Sequence, residues 1–329
     1  MRASLLKIAS KLASAGEPFV IASVVRRDPP SSARVGDAAL ISRTGEFHGW
    51  LGGSCTQPVV VREALSALKT GEPRLIALVP DPDSEVRPGI RTMAMTCHSG
   101  GSVEIYIEPM LPPPRLFVFG DSPPGKALVR LADIVGYKVF VVDPSADETT
   151  FPEADRVLPA ATATDLRSDN APTFVVVATL GERDEEAIRL ALDSGAAYVG
   201  LVASRKRFEE INARLRERGV SAEALATVES PAGMDIGALT PPEIALSVLT
   251  QIVQRHRTRS ATADAIATKP TKTGARPSDP VCGMTVDPAT ASVHTEYGGE
   301  TYYFCCEGCR ERFRERPESF VGTGTGKSR

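Results

Sequence analysis

From Leu116 onward the chain alternates short, unbroken apolar runs with amphipathic stretches, and that alternation leaves few folds open. Leu116-Phe-Val-Phe119, Lys138-Val-Phe-Val-Val142, Thr173-Phe-Val-Val-Val-Ala178 and Tyr198-Val-Gly-Leu-Val202 have the length and continuity of strands buried on both faces. Between them, residues 126–135 and 184–194 carry helical spacing and stop at Gly136 and Gly195, residues suited to a helix end. Strands and helices in turn predict an α/β fold, a Rossmann-like doubly wound parallel sheet over residues 115–257. Such sheets bind ligands beyond the carboxyl ends of their strands, so the turns after these runs are candidate sites.

The flanking segments differ in kind. Residues 1–112 mix strand-like runs at 19–25, 37–42 and 102–107 with a helix at 57–68, which predicts an α+β domain. Pro109-Met-Leu-Pro-Pro-Pro114 reads as a stiff link. Residues 258–278 are rich in Ala, Thr, Lys and Pro, bury little, and predict a flexible linker. Residues 279–322 form a small cysteine-rich module, and the polar tail beyond it is expected to fray.

A net charge of −3 offers no basic surface for nucleic acid or an anionic membrane. No apolar run reaches membrane-spanning length. The opening MRASLLKIASKLASA is interrupted by Lys7, Ser10 and Lys11. Leu5, Ile8, Ala9 and Leu12 share one helical face, so an amphipathic first helix is expected rather than a secretory leader. That places the chain in the cytoplasm, where clustered thiols favour metal or catalysis over disulfides. A homodimer is the default expectation for an oligomer.

Four of the six cysteines lie in two runs, Asp279-Pro-Val-Cys282-Gly-Met284 and Tyr302-Tyr-Phe-Cys305-Cys306-Glu-Gly-Cys309. Cys282 and Cys305 have 22 residues between them, and Cys305 and Cys309 have three. Thiolates suit zinc or copper, and a segment of about fifty residues gains folding free energy directly from such a metal. Buried or disulfide-bonded cysteines are the other reading.

The first turn of the parallel sheet is a poor dinucleotide site. The Gly-x-Gly-x-x-Gly positions hold Gly120, Ser122 and Gly125, so a side chain stands where a pyrophosphate would press. Pro123 and Pro124 remove two N–H donors from the helix start. Asp143, 23 residues after Gly120, stands where an acid could bind a ribose hydroxyl or simply cap a turn.

The segment 279–321 resembles a YHS domain, one of the TRASH group of small metal-binding modules. Cys282, Cys305 and Cys309, the DPVCGM run and the Phe313, Pro317 and Phe320 tail carry the resemblance. It implies a β-hairpin followed by a short helix and a copper, zinc or nickel ion. Cys306 stands where the family often has serine, which leaves open whether Cys305, Cys306 or both bind metal.

Residues 19–256 resemble the XdhC/CoxI family of accessory proteins for molybdenum hydroxylases. Gly49-Trp-Leu-Gly-Gly-Ser-Cys55, Thr96-Cys97-His-Ser-Gly-Gly101, the stretch from Leu116 to Asp143, Tyr198 to Lys206, and Ser230-Pro-Ala-Gly-Met-Asp-Ile-Gly237 continuing to Ala245 carry it. Three positions depart from the family. Gln57 stands for an acid, Gly120-Asp-Ser-Pro for Gly-Ala-Gly-His, and Thr179-Leu-Gly-Glu-Arg-Asp184 for a histidine-bearing block.

The resemblance implies binding of molybdenum cofactor (molybdopterin) and help with its sulfuration or insertion into a xanthine dehydrogenase- or CO dehydrogenase-type hydroxylase. An apo-hydroxylase and a cysteine desulfurase would be partners. Cys55 and Cys97 each adjoin a glycine pair, Gly52-Gly53 and Gly100-Gly101. Glycine pairs permit close backbone approach, and a thiolate could hold metal or sulfur. Arg34, Arg205 with Lys206, and Asp235 are candidate contacts for a phosphate or polar group, or solvated surface residues. His98 neighbours Cys97, whereas His48, His256 and His294 lack context. Two other functions remain open: a metal-trafficking protein acting through the cysteine module, and an NAD(P)-dependent oxidoreductase. No nucleophile elbow, Walker loop or His-Glu-x-x-His motif is present.

Overall fold

The computed structural model describes residues 3–53, 56–82, 87–94, 100–267, 279–281, 286, 293–304 and 307–320. In the first domain, α1 (Ala3–Ser14) precedes β1 (Phe19–Asp28), β2 (Ala38–Ser42) and β3 (Phe47–Gly49). Then come α2 (Thr56–Thr70), β4 (Arg74–Val79), β5 (Arg91–Ala94) and β6 (Ser102–Met110). Their sheet runs β3-β2-β1-β6-β4-β5, antiparallel except for the β4–β5 pair. Period-two alternation along β1 divides its side chains between two layers. Val20, Ala22 and Val24 pack towards α2, with Val60, Ala64 and Ala67. Phe19 and Ile21 pack towards Leu5, Ile8, Ala9 and Leu12, the face expected of the first helix.

The second domain comprises β7 (Arg115–Phe119), α3 (Pro123–Val135), β8 (Lys138–Val142), β9 (Arg156–Leu158), α4 (Ala163–Leu166), β10 (Thr173–Val177) and α5 (Asp184–Ser194). It continues through β11 (Tyr198–Leu201), α6 (Arg205–Glu217), α7 (Ala222–Leu225), β12 (Val228–Glu229) and α8 (Pro241–Ala267). All pairs in its sheet are parallel, in the order β12-β11-β10-β7-β8-β9. Strand order reverses between β7 and β10, the topological switch point of a Rossmann fold. The unbroken apolar runs fill both faces, as expected. Leu116, Val118 and Phe174 meet α3 and α8 on one side; Phe117 and Val175 meet α5 and α6 on the other. Phe117 stacks on Phe140 at 4.6 Å between ring centroids.

The expected strands and helices are present with small shifts of boundary. Strands β3, β5, β9 and β12 fall outside the expected elements because they are short and lack a distinctive apolar run; β4 carries the run Leu75-Ile-Ala-Leu-Val79 and adds a strand the expected order does not contain. Helix α8 also continues to Ala267, past the start expected for the linker at residue 258. Extending a helix already anchored by packing costs little, because the unfavourable step is nucleation. The rest of the expected linker, residues 268–278, lies outside the described residues.

The module comes next as a hairpin, β13 (His294–Tyr297) and β14 (Glu300–Tyr303), and a helix, α9 (Glu307–Glu315), with a 3-10 turn at Pro317–Ser319. Phe313 is its hub, with ring centroids of Tyr302, Phe304, Tyr297 and Phe320 at 4.9, 5.2, 5.9 and 6.3 Å. Among the described residues no helix is long and apolar enough to cross a membrane.

One polar cluster ties the first domain's helix to its sheet. The buried Glu63 carboxylate on α2 meets Arg91 at 2.8 Å and Arg62 and Arg74 at 3.3 Å. Arg74 and Arg91 begin the parallel pair β4 and β5, so one acid neutralises the start of both strands. Glu63→Gln leaves those cations without their counter-charge. Discounted for the exposure of Arg91, the expected loss is about 2 kcal/mol, read as a lowered urea midpoint at unchanged m-value.

Candidate functional site

In the first domain, two glycine turns close on one loop. Strand β1 ends at Asp28, and the chain passes through a cis Pro29-Pro30 bond to Arg34. Gly101 lies so close to this loop that a Cβ there would stand 2.0 Å from the Pro30 carbonyl oxygen. A Cβ on Gly52 would stand 3.1 Å from Ala33 Cβ. At Gly101 backbone fills the space a side chain would need, and at Gly52 a φ of 104° is the left-handed conformation that glycine adopts without strain. The Ser102 hydroxyl donates to Asp28 at 2.8 Å and pins the same junction. Gly53 accepts from the Thr56 amide and, at 2.8 Å, its hydroxyl, opening α2. Gln57, which departs from the family's acid, is exposed beside it.

The charges of this loop are unevenly used. Arg26 faces Asp28 and Glu104, each at 3.7 Å, and Arg87 reaches Glu104 at 2.7 Å. Arg27 donates to the Ser31 carbonyl. Arg34 is held through its backbone, its amide donating to the Asp37 carboxylate at 2.8 Å. Its guanidinium is exposed and has no ion pair among the described residues. Cys55, Cys97 and His98 lie outside the described residues.

The turn after β7 is filled by its own atoms. Ser122 is buried as the N-cap of α3, and its hydroxyl accepts the Gly125 amide at 3.2 Å. With Pro123 and Pro124 in the first two helical positions, the first turn keeps no free N–H for a phosphate. A Cβ on Gly120 would meet the Ala178 carbonyl oxygen at 2.7 Å, so this glycine serves strand packing at the switch point. The Asp143 carboxylate accepts the Ser145 hydroxyl at 2.5 Å and amide at 2.8 Å, with Arg183 at 3.6 Å. Burial works against its charge, but the Ser145 hydrogen bonds and Arg183 outweigh it and hold the carboxyl below its ordinary value. The cleft between Phe119, Val142, Thr179 and Arg183 has a volume of about 60 Å³. Ligand pockets run to about 300 Å³ or more, so this cleft is small for a dinucleotide.

A larger cavity, about 430 Å³, opens beyond β11 and β12 at the same carboxyl edge. It brings Arg205 and Asp235 to one lining, together with Met234, Ile236, Ile244 and Ser247. Ser204 caps α6 by accepting the Arg207 amide, which sets Arg205 in the first turn. Asp235 is exposed and accepts the Gly237 amide at 3.3 Å. Lys206 is exposed and does not line the cavity. The floor depends on Gln251 of α8, whose carbonyl accepts Tyr198 Oη at 2.6 Å and Gly233 N at 2.9 Å. Burial drives the Tyr198 hydroxyl pKa far above its ordinary value, so it stays protonated and keeps its proton to donate to Gln251. This clamp was not legible in the sequence, because its members sit in three separate blocks.

In the module, Cys309 is buried against Phe304 and Phe313. Cys282, Cys305 and Cys306 lie outside the described residues. Among the described residues no group of three or more His, Cys, Asp or Glu is placed to hold a metal. Asp279 is buried, and its carboxylate accepts the Val281 amide at 2.9 Å, fixing the turn into the DPVCGM run. The remaining histidines play local parts: His48 lies 3.2 Å from Glu46, and His256 and His294 pack on Phe174 and Tyr303.

Comparison with known proteins gives three family matches: the XdhC and CoxI family over residues 12–79, the XdhC Rossmann domain over 116–252, and the YHS domain over 278–323. The chain is 32% identical over 255 residues to an uncharacterized protein, YqeB, of Escherichia coli strain K12, covering 75% of this chain and 45% of that one. It is 27% identical over 166 residues to a probable xanthine dehydrogenase subunit of Bacillus subtilis strain 168, covering 49% and 48%. Forty-three residues, 13% of this chain, are 46% identical to 5% of a copper-transporting P-type ATPase of Rhizobium leguminosarum bv. viciae. The chain thus spans less than half the length of each of these relatives. It carries the two domains of the XdhC and CoxI family, followed by a YHS domain.

Proposed function

We propose that this chain is an accessory protein that binds molybdenum cofactor and assists its sulfuration and insertion into a xanthine dehydrogenase- or CO dehydrogenase-type hydroxylase. The observation that carries the reading is the meeting of the Gly52 and Gly101 turns on the 28–34 loop. The two blocks that bear Cys55 and Cys97 thereby converge on one loop, beside the unpaired Arg34. Backbone N–H groups of glycine turns and an unneutralised guanidinium suit the phosphate of a pterin cofactor. Cys55 and Cys97 would supply thiolates towards molybdenum or its sulfur. The cavity of Arg205 and Asp235 is a second anchoring place in the other domain, lined by apolar groups with one cation and one acid. The match to a probable xanthine dehydrogenase subunit supports this class of client. An apo-hydroxylase and a cysteine desulfurase are the proposed partners, and a cytoplasmic homodimer the proposed setting.

The YHS domain is proposed to hold zinc or copper through Cys282, Cys309 and one or both of Cys305 and Cys306. The match to a segment of a copper-transporting ATPase supports copper and favours metal trafficking as the second reading. An NAD(P)-dependent oxidoreductase finds less support, since the turn of Gly120, Ser122 and Gly125 keeps its donors to itself.

Three outcomes are expected. Protein purified from a molybdopterin-producing host carries molybdenum and pterin, measured by elemental analysis and by fluorescence of the oxidised pterin; absence of both rejects the carrier reading. Arg205→Ala retains on the order of tenfold less pterin, and unchanged retention rejects its cavity as a second anchoring place. Separately, Cys309→Ser is expected to lose the zinc or copper of the wild-type chain while leaving the pterin content unchanged, checked by the same elemental analysis.

A further inference from the structure

Trp50 is the chain's single tryptophan, and it is 45% exposed. Its backbone is fixed. The Trp50 amide donates to the Ala38 carbonyl at 3.1 Å, and the turn from β3 brings Gly49 flat against β2 just before it. Two residues later Gly52 presses on Ala33, whose neighbour is Arg34. That approach brings the segments carrying Trp50 and Arg34 next to one another, and Val35, 64% exposed, comes directly after.

Packing does not explain the indole. Trp50 belongs to neither hydrophobic cluster of its domain. It stacks on no ring, and its Nε1–H donates to no described residue. A half-exposed indole on a segment that adjoins an exposed arginine with no ion pair among the described residues suits a ligand of mixed character: a planar heterocycle that carries an anionic group. The ring would stack on the indole while the anion meets the guanidinium fork.

We infer that Trp50 is the stacking platform for the heterocycle of the bound ligand, with Arg34 taking its anionic group. This rests on the reading of the loop as a pterin site, and it assigns recognition of the ring to a residue other than the cysteines.

The test uses the full-length chain and a stable oxidised pterin carrying a phosphate ester, followed by the polarisation of the pterin's own fluorescence. The wild type is expected to bind saturably and to show quenching of its one tryptophan. Trp50→Phe keeps a flat apolar face and stays within a few-fold of wild type. Trp50→Ala binds ten- to a hundredfold more weakly, the range for loss of an aromatic stacking partner. Arg34→Ala binds the phosphorylated pterin about tenfold more weakly but leaves the weak binding of the dephosphorylated one unchanged. An unchanged thermal midpoint in all three variants shows that folding is not at issue. Wild-type binding with Trp50→Ala equally tight overturns the platform and leaves the pterin site standing. No binding by the wild type overturns the pterin reading itself, and the platform with it.

Discussion

Burial of both faces of the parallel sheet is the constraint on which the second domain depends. Every residue of β10 is buried, and β7 and β8 are buried beyond their first residue. Apolar burial of this kind stabilises by roughly 25 cal/mol per Å² removed from water, far more than any single polar contact here supplies. Its cost is that, beyond their first residues, these three strands have no polar side chain to offer a ligand. Chemistry is left to the turns at the carboxyl edge, where Gly120, Asp143, Arg205 and Asp235 all sit.

That edge is divided between two uses. Next to the switch point, the chain consumes its own donors and acceptors: Ser122 takes the Gly125 amide, Ser145 and Arg183 take Asp143. Arg183 adopts a left-handed backbone (φ 61°) to do so, a conformation that costs a non-glycine residue about 1 kcal/mol. Farther along, past β11 and β12, the Tyr198–Gln251–Gly233 clamp holds the 231–237 loop open over a cavity. A Rossmann topology is thus retained with a small cleft next to the switch point, and the larger space lies farther along the same carboxyl edge, past β11 and β12.

The first domain solves a different problem. Its sheet carries helices on both faces, so access is gained at the strand ends, where glycines let backbone lie directly on backbone. Gly101 lies on the Pro30 carbonyl and Gly52 on Ala33, so the 28–34 loop is fixed without using the Arg34 side chain. Arg34 and Trp50 are left facing water on a rigid base, which lowers the ordering cost of any ligand that engages them.

Local pattern determined much of this architecture. Unbroken apolar runs marked β7, β8, β10 and β11, helical spacing marked α1, α2 and α5, and thiol spacing with its aromatic approach marked the YHS module. Such features are readable because burial and periodicity act over a few neighbouring residues. The short strands β3, β5, β9 and β12 escaped notice because their pairing partners, not their own residues, make them strands. The continuation of α8 to Ala267 escaped because composition argues against burial but not against a helix already nucleated. The glycines beside Cys55 and Cys97 could be named from sequence, but not the loop they both press on. The same holds for the closing of the Asp143 cleft by Arg183 and for the exposure of Trp50. Each depends on contacts between segments far apart in the chain, and only tertiary packing brings those together.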